Sequence, residues 1–511
     1  MTNPQNGFNP TTKTFHSLRP PVTLPPPSQP LSITDYTLSL LRSNPSYSPS
    51  TPFLIDSNTG YNLTYSSFIH QFQSLATSLL STYPTLAKND AALIISPTSL
   101  HIPVLYFALL SIGVTVSPVN PLSTKTELTD LIKLTKPVIA FATSASAQNL
   151  TSSFPLGLII IDSPEFKLML QYKSNKKSFA LADTLVLMER FDFENMLKAV
   201  ERFKVTYIPV SPPLVVAMAK SEVVMRYDLS SLRLIGCGGT PLGKEVAERF
   251  KARFPDVEIV QSDTAAILYS SSTTGRIKGV ELTHRNFVAI TTSGSHGRFV
   301  KDETDDDIHP ISLFPLPLFH VFGFFVLIRS FALGETLVLM ERFDFENMLK
   351  AVERSKVTYM PVSPPLVVAM AKSEVVMRYD LSSLRLIGCG GAPLGKEVAG
   401  RFKARFPDVE IVQGFGMTET GGAVTGMKSP DECDRYGSAG RLSCYVRNKE
   451  ATVATLDTEG WLKTGDLCYF DSDGFLYIVL QVPPAELERY LQSIPEVADA
   501  AVIPRNEKAW S

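Results

Sequence analysis

Between Ile33 and Leu150, apolar runs of strand length alternate with segments of helical spacing. Ala91–Ile95, Val104–Ile112 and Val138–Phe141 are short and almost wholly apolar, whereas Tyr65–Leu80 spaces its large apolar residues three and four apart. This alternation predicts strands at the three runs and a helix over Tyr65–Leu80. The fold class is therefore α/β, with mostly parallel sheets covered by helices on both faces. Ahead of these elements, the prolines of Pro20–Pro30 remove backbone donors and favour an extended surface strap over a helix.

Further along, the pattern repeats itself almost letter for letter. Thr184–Gln261 recurs as Thr336–Gln413 with four differences, Phe203/Ser355, Ile208/Met360, Thr240/Ala392 and Glu248/Gly400. In first-copy numbering the unit reads as strand Leu185–Met188, helix Glu194–Phe203, strand Val205–Val210 and helix Leu214–Lys220. Strand Leu232–Gly236, helix Lys244–Arg253 and strand Val257–Val260 complete it. Solenoids stack three or more units, so two copies point to duplication instead. Equal hydrophobic patterns compete for one set of places in a sheet, and the losing copy keeps apolar surface to hide.

With 511 residues, the chain exceeds one compact core and calls for a large multi-lobed body with something smaller attached. Composition mainly excludes. A charged fraction of 19% and a formal net charge of -2 leave no basic footprint, so no nucleic-acid partner is expected. Five cysteines without a Cys-x-x-Cys pair fit a reducing compartment. The most apolar stretch, His320–Met340, contains Arg329 and Glu335, so no membrane span is expected. No charged start followed by an apolar run marks a signal peptide, and the end Ala509-Trp510-Ser511 is not a Ser-Lys-Leu-type peroxisomal address. The cytoplasm is the default.

Candidate chemistry begins between the copies, where ILYSSSTTGRIKGVELTHRN runs from Ile267 to Asn286. A strand-like start leads into Ser270, Ser271, Ser272, Thr273, Thr274 and Gly275, with Lys278 at the end. Backbone amides, hydroxyls and one lysine can neutralise pyrophosphate oxygens, while Gly275 and Gly279 admit close approach. The same composition also suits a polar surface loop. It is not the common P-loop, because Gly275 is followed by Arg276-Ile277-Lys278-Gly279. PLFHVFGFF, Pro317–Phe325, sets His320 among aromatics, as a satisfied core histidine would also be. QGFGMTE, Gln413–Glu419, ends the second copy in the place where α/β folds gather ligands. The first copy instead continues from Gln261 into Ser262-Asp263 and lacks those residues.

Taken together these motifs resemble the adenylate-forming enzymes, in particular the plant 4-coumarate–CoA ligase-like group. The loop is similar to the signature Ser-Ser-Gly-Thr-Thr-Gly-x-x-Lys-Gly, with Ser272 in place of the first glycine, and the match extends through Leu282-Thr283-His284-Arg285-Asn286. PLFHVFGFF resembles the second signature, whose histidine lines the acyl pocket. Phe322 stands where hydroxycinnamate ligases commonly carry tyrosine. The resemblance implies the adenylate-forming fold, with an AMP-binding large domain over residues 1–466 that contains the extra segment 184–261, a copy of 336–413. A truncated small C-terminal domain would occupy 467–511.

By the same resemblance, Gly390, Gly391 and Ala392 lie against adenine, as does Phe415 within the nucleotide-binding run Gln413, Gly414, Phe415, Gly416, Met417 and Thr418. Thr418 would meet the α-phosphate, Glu419 would place Mg²⁺, and Asp466 would accept from both ribose hydroxyls. Lys278, His320, Thr418 and Glu419 are the implied catalytic residues. The implied reaction joins a hydroxycinnamic or fatty-type carboxylic acid to AMP from ATP, then passes the acyl group to CoA. Phe322 favours the less polar acid. Two departures bear on activity. Val479-Leu480-Gln481-Val482-Pro483 skips the family's Asp-Arg pair and hinge, and the chain ends before the segment that carries the adenylation lysine. A monomer with a small-molecule carboxylic acid as partner is expected. The alternative to a working ligase is a non-catalytic nucleotide-binding remnant or a mis-assembled gene model.

Overall fold

Two sheets carry the body, and inner strands such as Ala91–Ile95 and Thr336–Leu339 are apolar enough to be buried on both faces. A computed structural model describes residues 3–20, 22–25, 31–150, 152–172, 188, 191–210, 212–237, 244–260, 264–270, 278–295, 309–443, 464 and 466–480. In the six-stranded sheet the spatial order is Lys278–Thr283, Thr264–Ser270, Thr115–Val119, Ala91–Ile95, Ile139–Ala142, Leu158–Ile160. Only its first pair is antiparallel. The seven-stranded sheet runs Glu410–Gln413, Leu386–Cys389, Tyr359–Val362, Ile311–Phe314, Thr336–Leu339, Pro52–Asp56, Asn62–Thr64. All of its pairs but the last are parallel.

One core joins the two sheets. Phe53 of the seven-stranded sheet, Phe68 and Phe107 of the helices, and Phe331 of the Val321–Leu333 helix interlock as an aromatic cluster. Phe331 stands 4.7 Å from Phe107 and 5.2 Å from Phe53 between ring centroids, both edge-on, which is the favoured geometry for aromatic pairs. The Tyr65–Thr82 helix starts where Thr64 accepts from the Ser67 amide, which meets one of the unpaired donors of the first turn.

One expected strand is a helix. His101–Ser111 is helical, and Ile102 through Leu110 are all buried within it. An element covered on every side shows no period, so an apolar run cannot declare its own geometry. Its length decides, and eleven residues is ordinary for a helix but long for a strand.

The duplicated unit occurs in two settings. In the second copy it supplies four strands of the seven-stranded sheet, and its core, including Met360, Val362 and Ile387, also takes in Leu313 of the Ile311–Phe314 strand. The first copy forms a separate three-stranded sheet, Glu258–Val260, Leu234–Cys237, Tyr207–Val210, with a core of its own that includes Leu197, Met218, Ile235 and Phe250. Its expected first strand begins at residues 185–187, which lie outside the described residues. Contacts internal to the unit are reproduced: Tyr227 donates to Glu194 at 2.6 Å and Lys204 pairs with Asp228 at 2.6 Å, as Tyr379 does with Glu346 and Lys356 with Asp380. External contacts are not. Arg354 donates to the carbonyls of Ser57 and Asn58, whereas its counterpart Arg202 lies 5.1 Å over the ring of Phe203, which is 53% exposed.

Among the described residues Tyr207–Val210 pairs along one edge only, whereas Tyr359–Val362 pairs along both. An unpaired edge beside exposed apolar side chains invites association. Deleting Thr184–Gln261 is therefore expected to raise soluble yield in side-by-side expression, since the seven-stranded sheet loses no strand. Equal or lower yield would show that the first copy supports the body.

Candidate active site

The second copy ends in a cleft. Gly391, Ala392 and Pro393 form one wall, Gln413–Gly416 another, and Gly437, Ser438 and Ala439 close the third, with Ile478 at the rim. The cleft is narrow and partly open to solvent, a concave form in which small-molecule sites occur. Two glycines are obligatory here. Gly391 has φ 84°, a left-handed conformation that side chains resist, and a Cβ on Gly416 would collide with the carbonyl of Gly422. Phe415 is pinned by its backbone, its amide donating to Thr425 Oγ1 at 3.2 Å and its carbonyl accepting from Val424 and Thr425. Gln413 is 5% exposed and its Nε2 has no hydrogen-bond partner, so a buried amide donor stands ready in the cleft wall. Cys389 also lines the cleft, but burial pushes its thiol up to about 12, which makes it inert.

The phosphate-type residues converge from two distant segments. Ser270 and Lys278 are cross-strand partners at the base of the hairpin, while Ser271, Ser272, Thr273, Thr274 and Gly275 lie outside the described residues. Thr418 and Glu419 sit in a short 3₁₀ turn held by Gly421 at φ 70°. The Ser270 hydroxyl donates to Glu419 Oε1 at 3.2 Å, which brings the hydroxyl-rich loop and the QGFGMTE segment to one point. Met417 is the hairpin residue leading into that turn, paired with Gly422.

His320 caps the Val321–Leu333 helix, its Nδ1 accepting from the Phe322 amide at 3.3 Å. That leaves the proton on Nε2. Partial enclosure disfavours the charged ring and holds its pKa below the ordinary 6.5. Phe322 approaches the second-copy loop, since a Cβ on Gly390 would lie 3.8 Å from its Cε1. Gly414 is held against the Thr425 carbonyl, where a Cβ would come to 2.9 Å.

Three separate matches to the family described as "AMP-binding enzyme" cover residues 41–183, 178–262 and 256–469. The chain is 43% identical to 4-coumarate--CoA ligase-like 9 of Arabidopsis thaliana over 98% of its own length and 84% of the relative's. It is 41% identical to 4-coumarate--CoA ligase-like 5 of Oryza sativa subsp. japonica, covering 98% and 83%. The chain belongs to the AMP-binding, adenylate-forming family, in its 4-coumarate–CoA ligase-like group. Another relative, Peroxisomal OPC-8:0-CoA ligase 1 of Arabidopsis thaliana, is 31% identical over 99% of this chain and 87% of its own. Among solved structures, the Mycobacterium tuberculosis fatty acyl CoA synthetase superposes with a TM-score of 0.59 at 20% identity, covering 94% of this chain and 86% of that one. The luciferase-like enzyme from the Zophobas morio mealworm also scores 0.59, at 19% identity and 90% and 98% coverage. These distant likenesses establish the adenylate-forming fold. Among the described residues no helix is long and apolar enough to cross a membrane.

For a family of AMP-binding CoA ligases, two parts of this site carry no readable motif. The Gly437–Ala439 wall is one. The other is the N-terminal segment of residues 5–19, which lies against the hairpin Leu467–Phe470/Leu476–Leu480 that comes after Asp466 and against Glu432. Phe15 stacks on Phe470 at 4.2 Å, Gln5 donates to Asp473 at 3.3 Å, and Arg19 pairs with Glu432 at 2.6 Å. Asp466 itself is partly buried, which raises its pKa, and its amide is capped by Thr464; Gly465 and residues 460–463 lie outside the described residues.

Two measurements test these contacts. An aromatic pair contributes about 0.5–1.5 kcal/mol, so Phe15→Ala should speed amide exchange across residues 467–480 by about two- to tenfold; unchanged exchange would mean the Phe15–Phe470 contact does not stabilise the hairpin. A carbon-13 or proton NMR titration should give His320 a pKa below 6.5. Because the folded value lies under the unfolded one, its contribution to stability is present above pH 6.5 and lost as pH falls. A value at or above 6.5 would show that the enclosure has no electrostatic effect.

Proposed function

We propose that the second copy and the Ser270–Lys278 segment form the adenylation half-site of an acid–CoA ligase. In this reading ATP lies with its base in the Gly391–Pro393/Phe415 cleft and its phosphates toward Lys278 and Thr418, and a carboxylic acid enters past His320 and Phe322. The observation that carries it is the Ser270–Glu419 hydrogen bond, because it unites the two phosphate-type motifs of the chain across a sequence separation of 149. Adenine recognition would draw on the unpaired Gln413 Nε2 donor. Carboxylates are poor electrophiles, so joining one to AMP with release of pyrophosphate makes the acyl carbon open to the thiol of CoA.

The residues present fit a magnesium ion. Glu419 gives Ser270 only its Oε1, which leaves Oε2 for a hard cation, and Mg²⁺ characteristically takes one or two carboxylates together with phosphate oxygens and water. Glu419 would hold it, and it would supply charge neutralisation for the leaving pyrophosphate. Lys278, which is exposed at the mouth of the hairpin, would add a mobile positive charge to the same oxygens. His320 would hold the acid through its Nε2–H, since its Nδ1 is committed to the helix cap. The aromatic Phe322 wall supports a fatty-type acid over a hydroxycinnamic one.

The sequence that follows the Leu476–Leu480 strand, up to the Pro-x-Glu-Leu-Glu run Pro484–Glu488, sets the rate. Val479-Leu480-Gln481-Val482-Pro483 leaves out the Asp-Arg hinge about which the small domain of this family turns between half-reactions. Binding and turnover are therefore expected to separate. Calorimetry should show ATP binding that depends on Mg²⁺ and falls at least tenfold in Glu419→Ala, while acyl-CoA formation with a panel of fatty and hydroxycinnamic acids stays well below the about 1 per second ordinary for enzymes. Absence of Mg²⁺-dependent ATP binding would overturn the half-site, and ordinary turnover would overturn the reading of the hinge.

A further inference from the structure

We infer that Thr425 is a positioning residue for the ligand of the cleft, its hydroxyl fixing the spacing of two of the walls, and that Ser17 and Arg19 of the N-terminal segment hold it in place. This rests on the reading of the cleft as a nucleotide site and names the residues that set its width.

The two walls come from separate stretches of chain. Gln413–Gly416 continues the last strand of the seven-stranded sheet, whereas Gly437–Ala439 follows the short Pro430–Cys433 helix and is tied to Leu476, whose carbonyl accepts from the Ala439 amide at 2.7 Å. Thr425 lies between them and is fully buried. Its Oγ1 accepts from the Phe415 amide at 3.2 Å and donates to the Ala439 carbonyl at 2.5 Å. One hydroxyl, used in both roles, thus spans the two walls. Close backbone approach supports it. A Cβ on Gly414 would come within 2.9 Å of the Thr425 carbonyl, and one on Gly440, at φ 83°, would overlap the backbone of Gly426.

A hydroxyl can set a distance only if the strand that carries it is itself fixed. Thr425–Gly426 and Arg441–Leu442 pair as a ribbon two residues long, too short to hold itself. The N-terminal segment grips both of its strands. Ser17 Oγ donates to the Leu442 carbonyl at 2.9 Å and accepts from the Arg19 amide at 3.1 Å. Arg19 Nη2 donates to the Gly426 carbonyl at 3.2 Å and to Glu432 Oε2 at 2.6 Å. Glu432 is buried and also accepts from the Lys428 amide at 2.7 Å, so the carboxylate that orients the guanidinium is itself anchored. Arg19 and Gly426 are 407 positions apart, so the cleft takes its final width once the N-terminal segment has docked. Walls ordered in advance spare the ligand that ordering cost. Valine at 425 has nearly the shape of threonine but leaves the Phe415 amide and the Ala439 carbonyl without this partner, which lets the walls shift.

The test uses the full chain and calorimetry with two probes, Mg²⁺·ATP, whose base enters the cleft, and Mg²⁺·pyrophosphate, which has no base. Thr425→Val is expected to weaken ATP binding about tenfold or more and to leave pyrophosphate binding within about twofold. Thr425→Ser, which keeps the hydroxyl, should restore ATP binding, and Arg19→Met should weaken it about threefold or more. Unchanged ATP affinity in Thr425→Val or in Arg19→Met overturns the inference while leaving the nucleotide site in place. A serine variant as weak as the valine one also overturns it, as does an equal loss for pyrophosphate, because the effect would then be a general loosening of the fold. If Thr425→Val does not fold, Arg19→Met decides. A native chain that binds pyrophosphate but not ATP, or neither, overturns the nucleotide reading itself.

Discussion

Only one segment can pair with the Ile311–Phe314 edge that faces away from Thr336–Leu339, and the Gly391–Gln413 cleft depends on which segment it is. Both copies of the duplicated unit present the same face to that edge, differing there by Ile208 against Met360. The second copy is delivered to it. Thr336–Leu339 belongs to that copy and is itself paired on both sides, with Ile311–Phe314 and with Pro52–Asp56. The chain enters this strand from a helix closed by Gly334 in the left-handed conformation, which sets the direction and start of the strand. Arg354 then ties the next helix to the turn at Ser57 and Asn58.

The segment downstream of each copy matters as much as the place the copy occupies. After the second copy, Gly414–Glu419 turns back across the sheet end and reaches Ser270, so correct pairing of the strands is what assembles the cleft. After the first copy the chain passes into Thr264–Ser270 of the other sheet, and no counterpart of Glu419 exists. The first copy still forms a core, because the contacts within the unit are enough to order it. Its strand residues Ile208 and Val210 remain 9% and 8% exposed where Met360 and Val362 are at 0%. That remaining exposure marks the missing neighbour, and a core this small is marginal by itself.

Much of this could be read from sequence. Strands such as Ala91–Ile95 and the paired copies emerge from apolar runs and their boundaries, and the cleft walls Gly391, Ala392 and Phe415 from motifs whose spacing reflects backbone approach to a ligand. The buried helix His101–Ser111 was not legible as a helix, since burial on every face erases the period that distinguishes helix from strand. Gly437–Ala439 and the Phe15–Phe470 contact were not legible for a different reason. They gain meaning only from neighbours far away in the chain, and small residues or a lone phenylalanine carry no local signal.

Arg329 and Glu335 stand between these cases. In the sequence they only interrupt an apolar stretch and argue against a membrane span; in the fold they are a buried pair. Such a pair is a poor source of stability, because desolvation offsets attraction, yet removing one partner costs about 3–5 kcal/mol by stranding the other. A purely structural role would be met best by saturating every donor, and Glu335 is saturated, taking Arg329 on both oxygens and Ser330 on Oε2 while Tyr65 holds its carbonyl at 2.7 Å. Arg329 is anchored through a single nitrogen and left with an unpaired Nε, and the Ser312 hydroxyl is unpaired as well.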